Sequence, residues 1–103
     1  MKKYVLIETT AGSKKEAEKI AISLVEKKLV ACVNYFPATS VYRWKGKVEK
    51  EEEYLLLAKT TDEKFEEAER EIKRLHSYEC PAIIAIPIQE GSKDYLAWIV
   101  ESL

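Results

Sequence analysis

Apolar and polar residues follow one another along the chain with two periods, one typical of strands and one typical of helices. The first apolar stretch, Tyr4 to Thr9, predicts a strand because nearly all of its residues are apolar. A helix is predicted from Ser13 to about Lys28, since its apolar positions recur at helical spacing: Ala17, Ile20, Ala21, Leu24 and Val25. Ser13 and Glu16 form a capping box, in which each side chain satisfies a free backbone N–H group at the helix start.

The middle of the chain predicts a long β-hairpin. Val30 to Phe36 and Ser40 to Trp44 are predicted as extended pieces with an interruption near Pro37, and a third runs from Lys47 towards Thr60. The turn lies at Lys45-Gly46, because a glycine after a polar residue between two extended runs is typical of hairpins.

Two further helices and one strand complete the chain. Thr60 to Glu63 offers a second capping box, and the helix after it is predicted to end near His76. Ala82 to Ile88 indicates a strand, which Pro87 confines to an edge or a bulge. Ser92 is predicted to cap a C-terminal helix.

The order β-α-β-β-α-β with a terminal helix predicts an α+β fold of one domain, residues 1–103. Right-handed crossovers turn that order into a ferredoxin-like sandwich with a long hairpin, in which two helices cover one face of a four-stranded antiparallel sheet. Three predicted strands are apolar on both faces: residues 4–7, 54–58 and 83–86. Two helices, however, can cover only one face of the sheet. The uncovered face therefore indicates an oligomer.

The long hairpin also indicates an oligomer, because an unsupported two-stranded ribbon is only marginally stable in water. It carries Tyr42 and Trp44, which are typical of packing and interfaces. We expect charged substitutions at Leu56 or Trp44 to dissociate the oligomer.

The composition limits the classes of binding partner and the cellular compartment that we expect. A formal net charge of −1 gives no electrostatic reason to expect nucleic acid or an anionic membrane as partner. No apolar run approaches the ~20 residues that span a bilayer. Cys32 and Cys80 form no CxxC motif, and we expect a cytoplasmic protein with reduced thiols. Abundant Lys and Glu with few amide residues indicate heat adaptation.

Few residues suggest chemistry. His76, the only histidine, is either a cation at a helix C-terminus or a metal ligand or proton-sensing group in a cleft. Cys32 is either a small core residue or a metal or redox group. The acidic run from Glu49 to Glu53 is most simply a solvated hairpin arm. No nucleophile signature or oxyanion-hole glycine run accompanies a Cys–His pair, so we expect no enzymatic activity.

Two fold relatives are excluded by missing motifs. RNA-recognition domains need a basic, aromatic strand segment that no strand here supplies. Copper-chaperone domains carry CxxC in the loop after the first strand, and here that loop is Thr9 to Ser13.

Five segments resemble the divalent-cation tolerance family, CutA, in family order and spacing over essentially the whole chain: residues 29–34, 42–48, 59–60, 75–84 and 94–98. Ser77 departs from the proline usual in the family, and Ala82 from a frequent glutamate. The resemblance implies a homotrimer similar to the PII signalling proteins, a role in divalent-metal tolerance and binding of copper. It also implies functional residues around the clefts between subunits, with metal ligands His76, Cys32 and Glu53 and cleft residues Trp44, Lys59, Tyr78 and Trp98.

The expected function is therefore copper tolerance by a copper-binding cytoplasmic homotrimer. A histidine with carboxylates prefers Cu²⁺ among divalent ions, whereas Cu⁺ would favour the thiols of Cys32 or Cys80. The alternative is a PII-like signalling or scaffold module that holds a small molecule or partner in its inter-subunit clefts. A catalytic activity that is lost on Cys32→Ala would instead support a third hypothesis, that the protein is an enzyme.

Overall fold

Four strands and three helices follow one another in the predicted order. The structure is a computed structural model that describes residues 3–103. The elements are β1 (Tyr4–Ala11), α1 (Lys14–Glu26), β2 (Cys32–Trp44), β3 (Lys47–Thr61), a 3-10 turn (Asp62–Lys64), α2 (Phe65–Leu75), β4 (Ile83–Ile88) and α3 (Lys93–Glu101). The strands form one antiparallel sheet in the order β2-β3-β1-β4. This confirms the predicted α+β, ferredoxin-like fold.

Both prolines of the sheet lie on its edge strands. Pro87 belongs to β4, as the sequence predicts, but the predicted interruption near Pro37 is wrong because β2 runs unbroken through it. Proline lacks the N–H group that a central strand needs on both sides, and an edge strand bonds only one neighbour. Pro37 lies opposite Tyr54 without ending the ladder.

The first helix begins at its predicted cap, Ser13, but the Glu16 carboxylate bonds a different backbone N–H from the one expected. Ser13 Oγ accepts a hydrogen bond from Glu16 N at 3.1 Å. The Glu16 carboxylate accepts from Gly12 N at 3.4 Å, so the contact differs from the one expected of a capping box. The helix ends at Glu26 rather than near Lys28, whose φ of 59° is left-handed.

The second predicted capping box is wrong. β3 continues to Thr61, and Thr60 Oγ1 donates to Leu29 O at 2.7 Å instead of capping a helix. The chain then passes through the 3-10 turn before α2 begins at Phe65. The second helix does end beside His76, and Ser92 caps α3 by accepting from Tyr95 N at 3.3 Å, as expected.

One face of the sheet is closed by α1 and α2. Its apolar side chains alternate along the strands and pack against those of the helices: Val5, Ile7, Leu56, Ala58, Ala17, Ile20, Leu24, Ala68 and Ile72. We call this the closed face. Leu56 is fully buried on it, so the expectation that a charge at Leu56 acts through dissociation is wrong. A charge there would be placed in the protomer's own core.

The opposite face keeps large apolar side chains in contact with solvent. The open face, as we define it, consists of Phe36, Leu55, Leu57, Ile84 and Ile86. Ile84 is 50% exposed and Phe36 is 42% exposed. The third helix lies over one end of this side of the sheet, where Lys59 Nζ approaches the centre of the Tyr95 ring to 5.9 Å. No helix within residues 3–103 is long and apolar enough to cross a membrane.

The predicted hairpin extends beyond the rest of the sheet. Pairing of β1 with β3 stops at Tyr54, so residues 38–53 form a two-stranded ribbon. Its turn is made by Lys45 and Gly46, with φ values of 51° and 80°, as a two-residue hairpin turn requires. We refer to residues 38–53 as the ribbon.

Candidate functional site

A groove of about 720 Å³ lies between the ribbon and the loop that joins α2 to β4. Aromatic rings and carboxylates from β2, β3 and the α2–β4 loop surround it: Tyr42, Trp44, Glu49, Glu51, Glu53, Tyr78 and Glu79. Thr10 of β1 and Cys80 and Ala82 of the loop also line it. We call it the acidic groove. Of the predicted site residues it contains Trp44, Glu53 and Tyr78.

The inner end of the groove is formed by a carboxylate held by a phenol. Glu53 is only 7% exposed, and its Oε2 accepts a hydrogen bond from Tyr78 Oη at 2.7 Å. Burial, followed by this hydrogen bond to Glu53, raises the pKa of the Tyr78 phenol well above its ordinary value of 10. Tyr78 is therefore a hydrogen-bond donor at neutral pH.

The Tyr78 ring fits closely against the start of α1. A Cβ atom added to Gly12 would lie 3.2 Å from the Tyr78 hydroxyl, which is closer than ordinary contact. A larger residue at position 12 would therefore require the Tyr78 phenol to shift by a few tenths of an ångström.

Three carboxylates line the ribbon side of the groove. Glu49, Glu51 and Glu53 alternate along β3, so they share one face of the strand at a spacing of about 6.6 Å. Tyr42 Oη donates to Glu51 at 2.9 Å from the neighbouring strand. That hydrogen bond raises the pKa of the Tyr42 phenol, so Tyr42 also remains a donor.

His76 lies behind the groove and is fully buried as a side chain. Its Nε2 contacts Thr10 O at 2.6 Å, and its Nδ1 contacts the backbone N of Tyr78 at 3.1 Å. A carbonyl can only accept and an N–H can only donate, so Nε2 carries the proton and Nδ1 accepts. His76 is thus at the helix end that the sequence predicts, with both ring nitrogens in contact with backbone groups. A metal could reach the ring only if one of these bonds opened.

A second group of predicted residues lies at the other end of the same side of the sheet. Lys59 Nζ donates to Asn34 Oδ1 at 2.7 Å and lies 4.0 Å from Cys32 Sγ. Tyr95, whose ring faces Lys59, stacks on Trp98 with 5.5 Å between ring centres. The structure therefore brings Cys32, Lys59 and Trp98 into one neighbourhood.

The three predicted metal ligands do not meet within one protomer. Cys32 pairs with Lys59 while Ala38 pairs with Glu53, a separation of six residues or about 20 Å along the strand. His76 and Glu53 share Tyr78 as a neighbour, but both ring nitrogens of His76 are already bonded. Over residues 3–103 no three His, Cys, Asp or Glu side chains are grouped to hold a metal ion.

Sequence reasoning missed three of the groove's four carboxylates, Glu49, Glu51 and Glu79, and one of its aromatic partners. Glu49 and Glu51 were interpreted as part of a solvated arm, and Tyr42 as a packing residue. The signal was the two-residue alternation of Glu49, Glu51 and Glu53, which places all three on one strand face opposite aromatic residues. Glu16 was interpreted as a cap, yet it also accepts from Ser77 N at 3.2 Å and from Ser77 Oγ at 3.1 Å.

The fold and the groove define a ferredoxin-like protein with an acidic, aromatic cleft, and comparison with known proteins gives its family. Residues 5–102 match the model of the family described as CutA1 divalent ion tolerance protein. The chain therefore belongs to this family, as the sequence resemblance indicates.

Individual relatives agree along nearly the full length. The divalent-cation tolerance protein CutA of Archaeoglobus fulgidus is 51% identical over 94 residues, which cover 91% of this chain and 92% of that protein. The protein of the same name from Thermus thermophilus is 47% identical over 103 residues, covering 99% of this chain and 98% of the relative. The solved structure of the A. fulgidus protein, described as periplasmic, superimposes with a TM-score of 0.95 at 49% identity over 96% of this chain and 97% of that one.

Proposed function

We propose that the chain serves divalent-cation tolerance by binding copper as a homotrimer, with the acidic groove as the binding region. The observation that carries this proposal is the row of Glu49, Glu51 and Glu53 on one strand face, with the innermost carboxylate buried against Tyr78. Relatives named for divalent-cation tolerance support the coarse function. The role is one of binding, because the family's name describes tolerance and not a catalytic activity.

Copper is favoured by the chemistry of the groove. Cu²⁺ heads the divalent affinity order for nitrogen and oxygen ligands, so a carboxylate site prefers it without a specialised cage. Cys80 lines the same groove and is exposed, which adds a soft ligand suited to Cu⁺. Of the predicted ligands Glu53 is the one in this region, and Cys32 belongs to the other end of the sheet.

The homotrimer supplies what one protomer lacks. Half-exposed Ile84 and Phe36 on the open face and a ribbon without a third strand both require covering surface. Because no ready group of three ligands exists within residues 3–103, a neighbour's side chains would complete the coordination of a groove metal. The predicted cytoplasmic location stays a prediction, and the A. fulgidus relative is described as periplasmic.

One observation favours a second function. At about 720 Å³ and with Trp44, Tyr42 and Tyr78 in its lining, the groove has the size and aromatic character of a small-molecule site. A PII-like signalling or scaffold module that holds an organic ligand there is therefore the alternative.

A stoichiometric Cu²⁺ titration followed by native mass spectrometry tests the proposal. We expect a trimer that takes up whole numbers of copper ions and loses that uptake in Glu53→Gln. Glu52→Gln is the matched control, because Glu52 points to the opposite face of the ribbon and accepts from Thr39 at 2.8 Å. Copper uptake that is non-stoichiometric, or equal in the two variants, would contradict metal binding in the groove. Binding of an organic ligand that survives chelator would then favour the alternative.

A further inference from the structure

We propose that His76 is a positioning residue for the acidic groove and not one of its metal ligands. Its contacts hold the loop after α2 against β1, so that the Tyr78 hydroxyl stays on Glu53. The inference deepens the proposed function and rests on it only for the arm that measures copper.

Both ring nitrogens of His76 are already in hydrogen bonds. Nε2–H donates to Thr10 O, and Nδ1 accepts from Tyr78 N. The side chain has no exposed surface, and the nearby Glu16 carboxylate, 3.8 Å from Nδ1, already accepts from Ser77 and Gly12. Coordination through either nitrogen would cost a buried hydrogen bond and leave a backbone group unsatisfied.

The two His76 hydrogen bonds join Tyr78 to β1. One partner is the backbone N of Tyr78 itself, and the other is in β1 at Thr10, which lines the groove. The His76 and Tyr78 rings also contact each other, with 4.7 Å between ring centres and 49° between ring planes. The imidazole therefore fixes the Tyr78 backbone and one side of its ring.

Tyr78 in turn holds the Glu53 carboxylate at the inner end of the groove. Glu53 is nearly buried, and its one hydrogen-bond donor among the contacts of residues 3–103 described above is the Tyr78 hydroxyl. Ser77 strengthens the same loop by bonding Glu16 through both N and Oγ. A change at His76 therefore reaches Glu53 through Tyr78, without any contact between His76 and a bound ion.

Nuclear magnetic resonance of the intact protein tests this directly, because His76 is the only histidine. With ¹⁵N-labelled histidine, we expect Nε2 protonated and Nδ1 unprotonated, and both resonances unchanged when diamagnetic Zn²⁺ is added to saturation. A shift of either ring nitrogen on metal addition would overturn the proposal, because it is the signature of direct ligation.

A second measurement does not depend on metal. The ¹³Cζ resonance of Tyr78 reports the hydrogen bond to Glu53, and its position in Glu53→Gln marks the broken contact. We expect His76→Ala to move this resonance towards that position. His76→Asn should move it less, since Asn Oδ1 can still accept from Tyr78 N. An unchanged Tyr78 resonance in both His76 variants would overturn the positioning role, whether or not the protein takes up copper.

Copper affinity adds a coupling test. We expect His76→Ala to weaken Cu²⁺ binding about tenfold, the scale of one lost hydrogen bond, and to have little further effect in a Tyr78→Phe background. Equal loss in both backgrounds would mean that His76 acts independently of Tyr78 and would contradict the proposal. If the wild-type protein takes up no metal, the proposed function fails, and the Tyr78 resonance still decides the role of His76.

Discussion

The two faces of the sheet are built from the same strands but differ in burial: helices of the same chain cover one face, and large apolar side chains stay exposed on the other. On the closed face, Ile7, Leu56 and Ile72 are fully buried beneath two helices of the same chain. On the open face, Ile84 and Phe36 remain about half exposed, and the ribbon beyond them pairs with no third strand. The closed face thus contains the packed core of the protomer, whereas the open face leaves large apolar side chains in contact with solvent.

The two faces also differ in the residues they present: one holds the packed core, and the other holds the candidate site residues. Cys32 and Lys59 alternate with core residues along β2 and β3, on the side that the two helices leave uncovered, and the groove carboxylates continue that side of β3 into the ribbon. A strand presents every second side chain to each face, so a packed core and a site can share one stretch of sequence.

The largest effect is expected from the helix layer of the closed face. Ile72→Ala should lower the free energy of unfolding by about 2–5 kcal/mol, because it removes a fully buried side chain from α2. The loss should be the same at every protein concentration in denaturant-induced unfolding. Ile84→Asp should instead abolish the concentration dependence of wild-type stability, since it acts on association. A concentration-independent wild type would refute this contrast.

A smaller effect is expected from the Glu71 carboxylate of α2, which accepts hydrogen bonds from both helices that cover the closed face. Glu71 accepts from Ser23 Oγ at 2.6 Å and from Arg74 Nη2 at 2.7 Å, and these bonds, that to Arg74 first, hold its pKa well below the ordinary value of 4.5. Glu71→Gln should cost about 1.5–3 kcal/mol at pH 7, the range for hydrogen bonds to charged groups.

The sign of the pH dependence follows from that lowered pKa of Glu71. Its contribution is fully present above about pH 4.5 and is lost as the pH falls through the lower folded-state pKa. The stability difference between wild type and Glu71→Gln should therefore shrink in acid. Glu69→Gln is the control: Glu69 only pairs with Lys73 on the surface at 3.4 Å, and its loss should cost less than about 0.5 kcal/mol. A Glu71 effect that is unchanged in acid would contradict the account.

The smallest effects come from two buried threonines of the closed face, with opposite signs. Thr9 Oγ1 is buried and has no hydrogen-bond partner in the described part of the chain, whereas Thr60 Oγ1 donates to Leu29 O at 2.7 Å. Thr9→Val should raise the free energy of unfolding by about 1 kcal/mol, because it removes an unpaired buried hydroxyl. Thr60→Val should lower it by about 1 kcal/mol. Thermal unfolding of both variants measures these changes. If the two substitutions changed the free energy of unfolding in the same direction, the hydrogen-bond assignment would be contradicted.

The closed face could be predicted from the sequence because its signals are local. The spacing of Ala17, Ile20 and Leu24 indicated the buried side of α1, and Lys45-Gly46 indicated the turn. Two local signals misled: Thr60 precedes a capping pattern but belongs to a strand, and Pro37 lies within one. In both cases pairing with a neighbouring strand outweighs the local preference.

The acidic groove was less predictable because its contacts join distant segments. Tyr78 and Glu53 are 25 residues apart, and His76 bonds a carbonyl 66 residues earlier. Both His76 partners are backbone groups, which no residue type in the sequence reveals. The family resemblance predicts Glu53 and Tyr78 as site residues, and the structure shows that these two are in contact.

The most direct test of the account is the mass of the native protein in solution, measured by sedimentation equilibrium at micromolar concentration beside Ile84→Asp. Covering of the open face and ribbon by two further copies predicts about 36 kDa for the wild type, three times the 11.9 kDa chain, and a lower mass for the variant. A wild-type mass of 11.9 kDa, or an identical assembly for the two proteins, would contradict the claim that the open face is an interface between copies.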